Sequence, residues 1–217
     1  TSGTADNYTV SATGNTLTVD KAALTVVADP QRKTYGATDP TLTYSVDPTQ
    51  LRYTDTLGVV SGVNLSTATG AAATAGTHTI AIAGGTAANY AISLANGTLT
   101  VDKASLVVAA DAQRKVYGDA DPTLTYRIDP TQLRYTDTAA VVTGVNLSTT
   151  TGAAATAGTH LISGTVDTAA NYDVSVAPAT LTVDKAPLNV TANNQRKTYG
   201  DAEPTLTYTV NVAQLKY

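Results

Sequence analysis

The chain has 217 residues, 42% of them hydrophobic and 14% charged, and a formal net charge of −4. That charge supplies no basic field for nucleic acid, and the charged fraction is too low for a disordered, solvating tail. Cysteine is absent, which rules out disulfides, thiolate metal sites and cysteine nucleophiles, and no run of about eighteen apolar residues is present to cross a membrane as a helix.

Residues 1–20 echo a stretch found further on. Asn7-Tyr8 and Thr16 to Ala22 recur as Asn89-Tyr90 and Thr98 to Ala104, 82 residues later. The segment Gln-Arg-Lys-Xaa-Tyr-Gly begins at Gln31, Gln113 and Gln195 with the same interval of 82, and a Gln-Leu-Arg/Lys-Tyr tetrapeptide stands at 50–53, 132–135 and 214–217. The chain is a tandem array. Residues 1–20 are the C-terminal part of a repeat, 21–102 and 103–184 are complete repeats, and 185–217 are the N-terminal part of another. The two complete copies are identical at 58 of 82 aligned positions, so one structural solution should serve both.

Within a repeat the apolar residues alternate. Leu24, Val26 and Ala28 form the first such run, then Leu42, Tyr44 and Val46, Val63 and Leu65, Ile80 and Ile82, Tyr90, Ile92 and Leu94, and finally Leu99 and Val101. A period of two is the mark of half-buried strands. Pro40 and Pro48, each preceded by Asp, delimit the Leu42 strand, and Asp47-Pro48 predicts at most one short helical turn. Residues 67–76 contain only Thr, Ala and Gly and read as a loop or flat edge. Asn96-Gly97 predicts a tight hairpin between the last two strands, although the second copy has Pro178-Ala179 there. At Asp20-Lys21-Ala22, and again at 102–104 and 184–186, the alternation slips by one residue, which reverses the face turned to a core. One strand should therefore pass straight into the first strand of the next repeat.

The pattern Lys-Ala-Xaa-Leu, Tyr-Gly-Xaa-Xaa-Xaa-Pro-Xaa-Leu-Thr-Tyr, Gly-Thr-His, Asn-Tyr and Thr-Leu-Thr-Val resembles the MBG-type (Tyr-Gly) repeats of bacterial filamentous-haemagglutinin-like surface adhesins. The resemblance covers the whole repeat. It implies an all-β or nearly all-β chain of tandem units, β-grasp-like or alternatively Ig-like sandwiches, and an extracellular or cell-surface stalk. It supplies no catalytic residues and no cofactor. The family often has Gly-Asp-Thr in mid-repeat, whereas Tyr53-Thr54-Asp55-Thr56 lacks that glycine.

The candidate sites are few. His78 and His160 occupy one equivalent position, and a single histidine per repeat makes neither a metal site nor a catalytic relay. Several aspartates accompany prolines at turns; Asp20, at the repeat boundary, is the best calcium candidate, but no calcium-loop pattern is present. Arg32, Tyr35, Arg52 and Tyr53, with Arg114, Tyr117, Arg134 and Tyr135 in the next copy, form a repeated Tyr/Arg set. Such a set could bind a glycan or a host protein by avidity, or could simply blunt exposed strand edges. No Ser/His/Asp order, phosphate loop or carboxylate pair suggests an enzyme.

The sequence therefore predicts a structural stalk or filament segment whose partners are neighbouring repeats and other copies, with a repeated glycan- or host-protein-binding module as the alternative. Tyr8, Leu17, Val19, Leu188, Val190 and Leu206 lie in the part-repeats and need cover from an adjoining copy. The expectation is a longer polymer in which the head of one segment packs near the tail of the next.

Overall fold

The computed structural model describes residues 7–70, 72–149, 151–152 and 154–216. Residues 1–6 of the leading part-repeat and Tyr217 of the last tetrapeptide lie outside them. The first repeat contributes β1 (Ala22–Ala28), β2 (Gln31–Thr34), β3 (Tyr44–Val46), β4 (Ser61–Thr67), β5 (Gly76–Thr86), β6 (Tyr90–Ala95) and β7 (Gly97–Asp102). The second repeats them as β8 (Ala104–Ala110), β9 (Gln113–Val116), β10 (Tyr126–Ile128), β11 (Asn146–Thr149), β12 (Gly158–Thr165), β13 (Tyr172–Ala177) and β14 (Ala179–Asp184). Two short strands follow, β15 (Val190–Ala192) and β16 (Tyr208–Val210), paired antiparallel. Among the described residues helical structure is confined to single 3-10 turns, so the chain is nearly all β.

The second repeat shows how the alternation is used. In β8, Ala104, Leu106, Val108 and Ala110 are buried while Ser105 faces water. This strand is the centre of a three-stranded sheet, antiparallel to β10 and parallel to β13, with Leu106 opposite Val174 and Val108 opposite Val176. A four-stranded sheet in the order β11-β12-β14-β9 supplies the rest of the core. Its inward residues Ile162, Leu181 and Val183 cluster with Ala110 of β8. Burying each Leu, Ile or Val contributes about 1.5–3 kcal/mol relative to leaving it in water. The first repeat has the same sheet around β1, with β3 antiparallel and β6 parallel, and the same β4–β5 pair.

The glutamine of the repeated tetrapeptide has a backbone task. Thr25, Val107 and Asn189 donate their N–H groups to the side-chain oxygens of Gln50, Gln132 and Gln214 at 2.7, 2.9 and 2.8 Å. Each glutamine extends the ladder beyond the short neighbouring strand. It sits in a 3-10 turn; Asp47 and Asp129 cap the first two of these by accepting the N–H two residues on at 2.9 Å. That bond, from Thr49, holds the Asp47 carboxyl below the usual carboxylate range.

Four expectations are corrected. Each complete repeat carries two short turns rather than one, the second at Leu57–Val59 and Ala139–Val141. The Leu42 strand begins only at Tyr44. Asn96-Gly97 does not close a hairpin: β6 pairs with β1, and the chain leaves that sheet at Asn96, whose side chain accepts the Ile82 N–H at 3.2 Å. Gly97 instead lies tight against the first strand, where a Cβ would stand 2.4 Å from the Ala28 carbonyl oxygen, whereas the second copy carries Ala179 at the equivalent position. Finally, Leu17 and Val19 form no strand; residues 8–21 have no regular structure, and these two side chains are 90% and 83% exposed. Their counterparts Leu181 and Val183 are held by β9 and β12, and among the described residues no strand pairs with Leu17.

The phase slip is real. Strand β7 ends at Asp102, β8 begins at Ala104, and Lys103 alone separates them. Buried positions are odd before it, Leu99 and Val101, and even after it, Ala104 and Leu106.

The chain groups into two compact units, one from residues 7–31, 40–68 and 77–99, the other from 32–39, 69–76 and 100–216. These do not coincide with the sequence period. The second unit takes the Arg32 to Asp39 segment and the loop before β5 from the first repeat.

Candidate functional site

In the second unit, the Tyr35-Gly36 turn of the first repeat meets residues of the second. Strand β2 leads to it, and alternation along Arg32-Lys33-Thr34-Tyr35 turns Lys33 and Tyr35 inward, leaving Arg32 in solvent. The Tyr35 N–H donates to the Asp102 carbonyl at 2.8 Å. Its ring stands edge-on to Tyr135 and to Tyr172, with centroids 5.4 and 5.5 Å away, an arrangement favoured by the quadrupoles of both rings. The Tyr35 hydroxyl donates to an Asp137 oxygen at 3.1 Å, and Tyr172 donates to the same oxygen at 2.7 Å while accepting the Arg134 N–H at 2.8 Å. Burial, then the bond to Asp137, pushes the Tyr172 hydroxyl up to about 12, and burial followed by its own bond to Asp137 raises Tyr35. A second contact comes from the loop before β5, where the Ala75 N–H donates to the Asn171 side chain at 3.0 Å.

Gly36 is at φ 87°. A Cβ there would fall 2.3 Å from Cδ and 2.9 Å from Cβ of Arg134, whose stem crosses the turn. The same relationship holds for Gly118, at φ 88°, and Lys216, with 2.4 Å to Cγ and 2.7 Å to Cβ. Glycine is required at both turns for its backbone and for its missing side chain. Tyr53 and Tyr135 adopt φ of 57° and 53°, the left-handed region that costs a non-glycine residue about 1 kcal/mol or more. Both copies place a tyrosine at this strained position.

The first unit carries the same constellation, and among the described residues no tyrosine stands to it as Tyr35 stands to the second. Tyr90 donates to Asp55 at 2.7 Å and accepts the Arg52 N–H at 2.8 Å. A cavity of about 630 Å³ is lined by Val19, Asp20, Arg52, Tyr53, Asp55 and Tyr90. Tyr53 is wholly exposed, whereas Tyr135 is half covered; Arg52 and Asn89 are exposed, whereas Arg134 and Asn171 are partly buried.

Arg32 forms a two-pronged pair with Asp102 at 2.5 and 2.7 Å, and Arg114 repeats it with Asp184. The guanidinium, chiefly through its hydrogen bonds, holds Asp102 below the usual range. The Tyr/Arg set foreseen as one surface per repeat is thus divided: Tyr35 joins Arg134 and Tyr135 of the following copy, Arg32 pairs within its own, and half-buried Tyr117 lines a cavity with Pro187, Gln214 and Lys216. Asp20 is exposed. Among the described residues no three of His, Asp and Glu gather as metal ligands. Asp29 instead accepts from Thr43 and Ser45 hydroxyls.

Sequence reasoning missed four participants. Asp137 and Asn171 were not singled out. Nor were Lys33 and Lys115 expected in the interior, yet their side chains are 2% and 3% exposed and pair with Asp39 and Asp121 at 2.6 Å. Alternation along Arg32-Lys33 was the available signal.

A family model described as MBG domain (YGX type) matches residues 24–100, 106–182 and 188–216. No curated protein matches the chain.

Proposed function

The chain belongs to the MBG domain family of the YGX type, and from that premise we propose that it is a non-catalytic structural segment, a stalk or filament of an adhesin-like bacterial protein displayed outside the cell or on its surface. The tandem repeats and their β-rich construction make it an array. The observation that carries the proposal is the burial of Tyr35, 6% exposed, among residues of the following repeat. With a single residue, Lys103, between consecutive strands, this contact supports a joint with little freedom, which a projecting stalk needs and a set of independently working modules does not. The reading as a glycan-binding surface centred on Tyr35 lacks the exposed ring such a site stacks on.

Small-angle scattering and rotational correlation times test the proposal. Repeats that move together in the native chain, and gain independent motion in Tyr35→Ala, are the expected result. Independent tumbling of the native repeats would sink it.

A further inference from the structure

The chain contains no Cys, Met or Trp and has twelve Tyr. The side chains that ordinarily intercept an oxidant are therefore missing, and a one-electron oxidant is left with phenols. Beside the Tyr35-Gly36 turn two of these, from consecutive repeats, come to 5.4 Å between ring centroids with their planes at 76°. Tyr135 is 50% exposed and sits in a turn, at φ 53°, closed by the Asp137 N–H onto the Arg134 carbonyl at 3.0 Å. It is open to a reagent in water. Tyr35 is buried, and its hydroxyl donates to the Asp137 carboxylate, which is placed to accept the proton. Tyr172 also touches the Tyr35 ring, but it is buried in β13 and its hydroxyl is fixed by two hydrogen bonds.

We propose that Tyr35 and Tyr135 form an oxidative cross-linking site, at which a diffusible one-electron oxidant joins consecutive repeats through a dityrosine bond. Each phenol gives one electron to the oxidant and loses the proton of its hydroxyl. Burial, then the bond to Asp137, favours the protonated form of Tyr35, so its electron leaves as Asp137 takes the proton; Tyr135 releases its own to water. Two phenoxyl radicals result, and a carbon–carbon bond forms between the ring positions next to their oxygens. The hydrogen on each of those carbons then moves to the neighbouring oxygen, which restores both rings and both hydroxyls. In all, the pair loses two electrons and two protons, and two equivalents of oxidant are reduced. Tyr135, covered on one side only, is the ring with room to turn from the edge-on pose into bonding contact. The bond closes a long loop of chain and so restricts the unfolded state. The inference rests on the structural reading for its purpose, a joint made permanent, while its chemistry stands on the two rings alone.

Irradiation of the native 217-residue chain with a ruthenium sensitiser and persulfate tests it, at a dilution that makes links between chains rare. The expected product is a monomer lighter by two hydrogens, with dityrosine emission, whose digest joins the Tyr35 peptide to the Tyr135 peptide. Tyr35→Phe and Tyr135→Phe keep a ring in place, and each should abolish that peptide. Tyr126→Phe should leave its yield unchanged, because Tyr126 is 44% exposed in β10 but has no ring partner among the described residues. Unfolding the native chain in urea before irradiation should reduce the Tyr35–Tyr135 peptide to the level of other pairs. A monomer that keeps its hydrogens, a link that maps chiefly to Tyr35–Tyr172 or to another pair, or a yield indifferent to Tyr35→Phe or to urea overturns the proposal. If the bond fails to form while the native repeats still move together, the structural role survives and only the cross-linking site is lost; if it forms in repeats that tumble independently, the site stands and the structural role falls.

Discussion

Tyr35 donates its hydroxyl to Asp137, 102 residues further along the chain, at 3.1 Å. The carboxylate also accepts from Tyr172, so one acid group from the second repeat organises a tyrosine of its own and one from the repeat before.

Removal of the Tyr35 hydroxyl and removal of the ring should have different costs. Tyr35→Phe loses one hydrogen bond to a charged group, about 1.5–3 kcal/mol. Tyr35→Ala also empties the space beside Tyr135 and Tyr172, and a large aromatic-to-alanine change in a core costs about 3–5 kcal/mol. Urea unfolding followed by circular dichroism should rank native above Phe above Ala; equal midpoints for Phe and Ala would show that the ring contacts contribute nothing.

Gly36→Ala should be damaging for two separable reasons. The positive φ is an intrinsic cost, and the Arg134 stem is a steric one. In an Arg134→Ala background the atoms at Cγ and Cδ are gone, so the second part should shrink by about 1 kcal/mol or more. Melting temperatures of the four members of this double-mutant cycle supply the check. Strict additivity would mean that the stem moves aside freely.

Alkali should unfold the protein earlier than its composition suggests. Tyrosine titrates near 10 in an unfolded chain, whereas Tyr172 in the fold holds its proton to about 12, with Tyr35 and Tyr90 raised as well. Between those values the unfolded state binds fewer protons than the native one, so stability falls as pH rises. The loss should begin near pH 10 and continue to about pH 12. Tyr172→Phe, though less stable at neutral pH, should show a shallower decline over this window. Tyrosinate absorbance beside a fold signal measures both.

The buried lysines predict an asymmetry. Asp121→Ala removes the countercharge of the Lys115 ammonium and should cost about 3 kcal/mol or more, whereas Lys115→Met replaces the buried charge by an apolar stem and should cost about 1 kcal/mol or less. Thermal melts of the two variants at low and high salt decide it. Equal losses would mean that the ammonium is hydrated rather than held by Asp121.

Much of the fold was legible because the alternation is strict. Leu24, Val26 and Ala28, and Leu99 and Val101, are buried as the period of two requires, and Asp47-Pro48 caps a short turn as its chemistry predicts. Asn96-Gly97 was misleading because a hairpin signal is local, while the pairing of β6 with β1 joins residues 68 apart. Propensity carries no information about that distance. The site was less legible still. Tyr35 and Tyr135 were both singled out, but near-identical copies give no clue to which repeat's tyrosine meets which repeat's acid.

The single residue between β7 and β8 also bears on how such a gene can change. Deleting or inserting one codon at Lys103 would turn Leu106 and Val108 outward together, so the link tolerates almost no variation in length. Unequal recombination between copies, by contrast, removes or adds a whole period and leaves every parity intact. The array is therefore free to vary in copy number between lineages while its junctions stay fixed in length, and comparison of related genes should find variation counted in whole repeats.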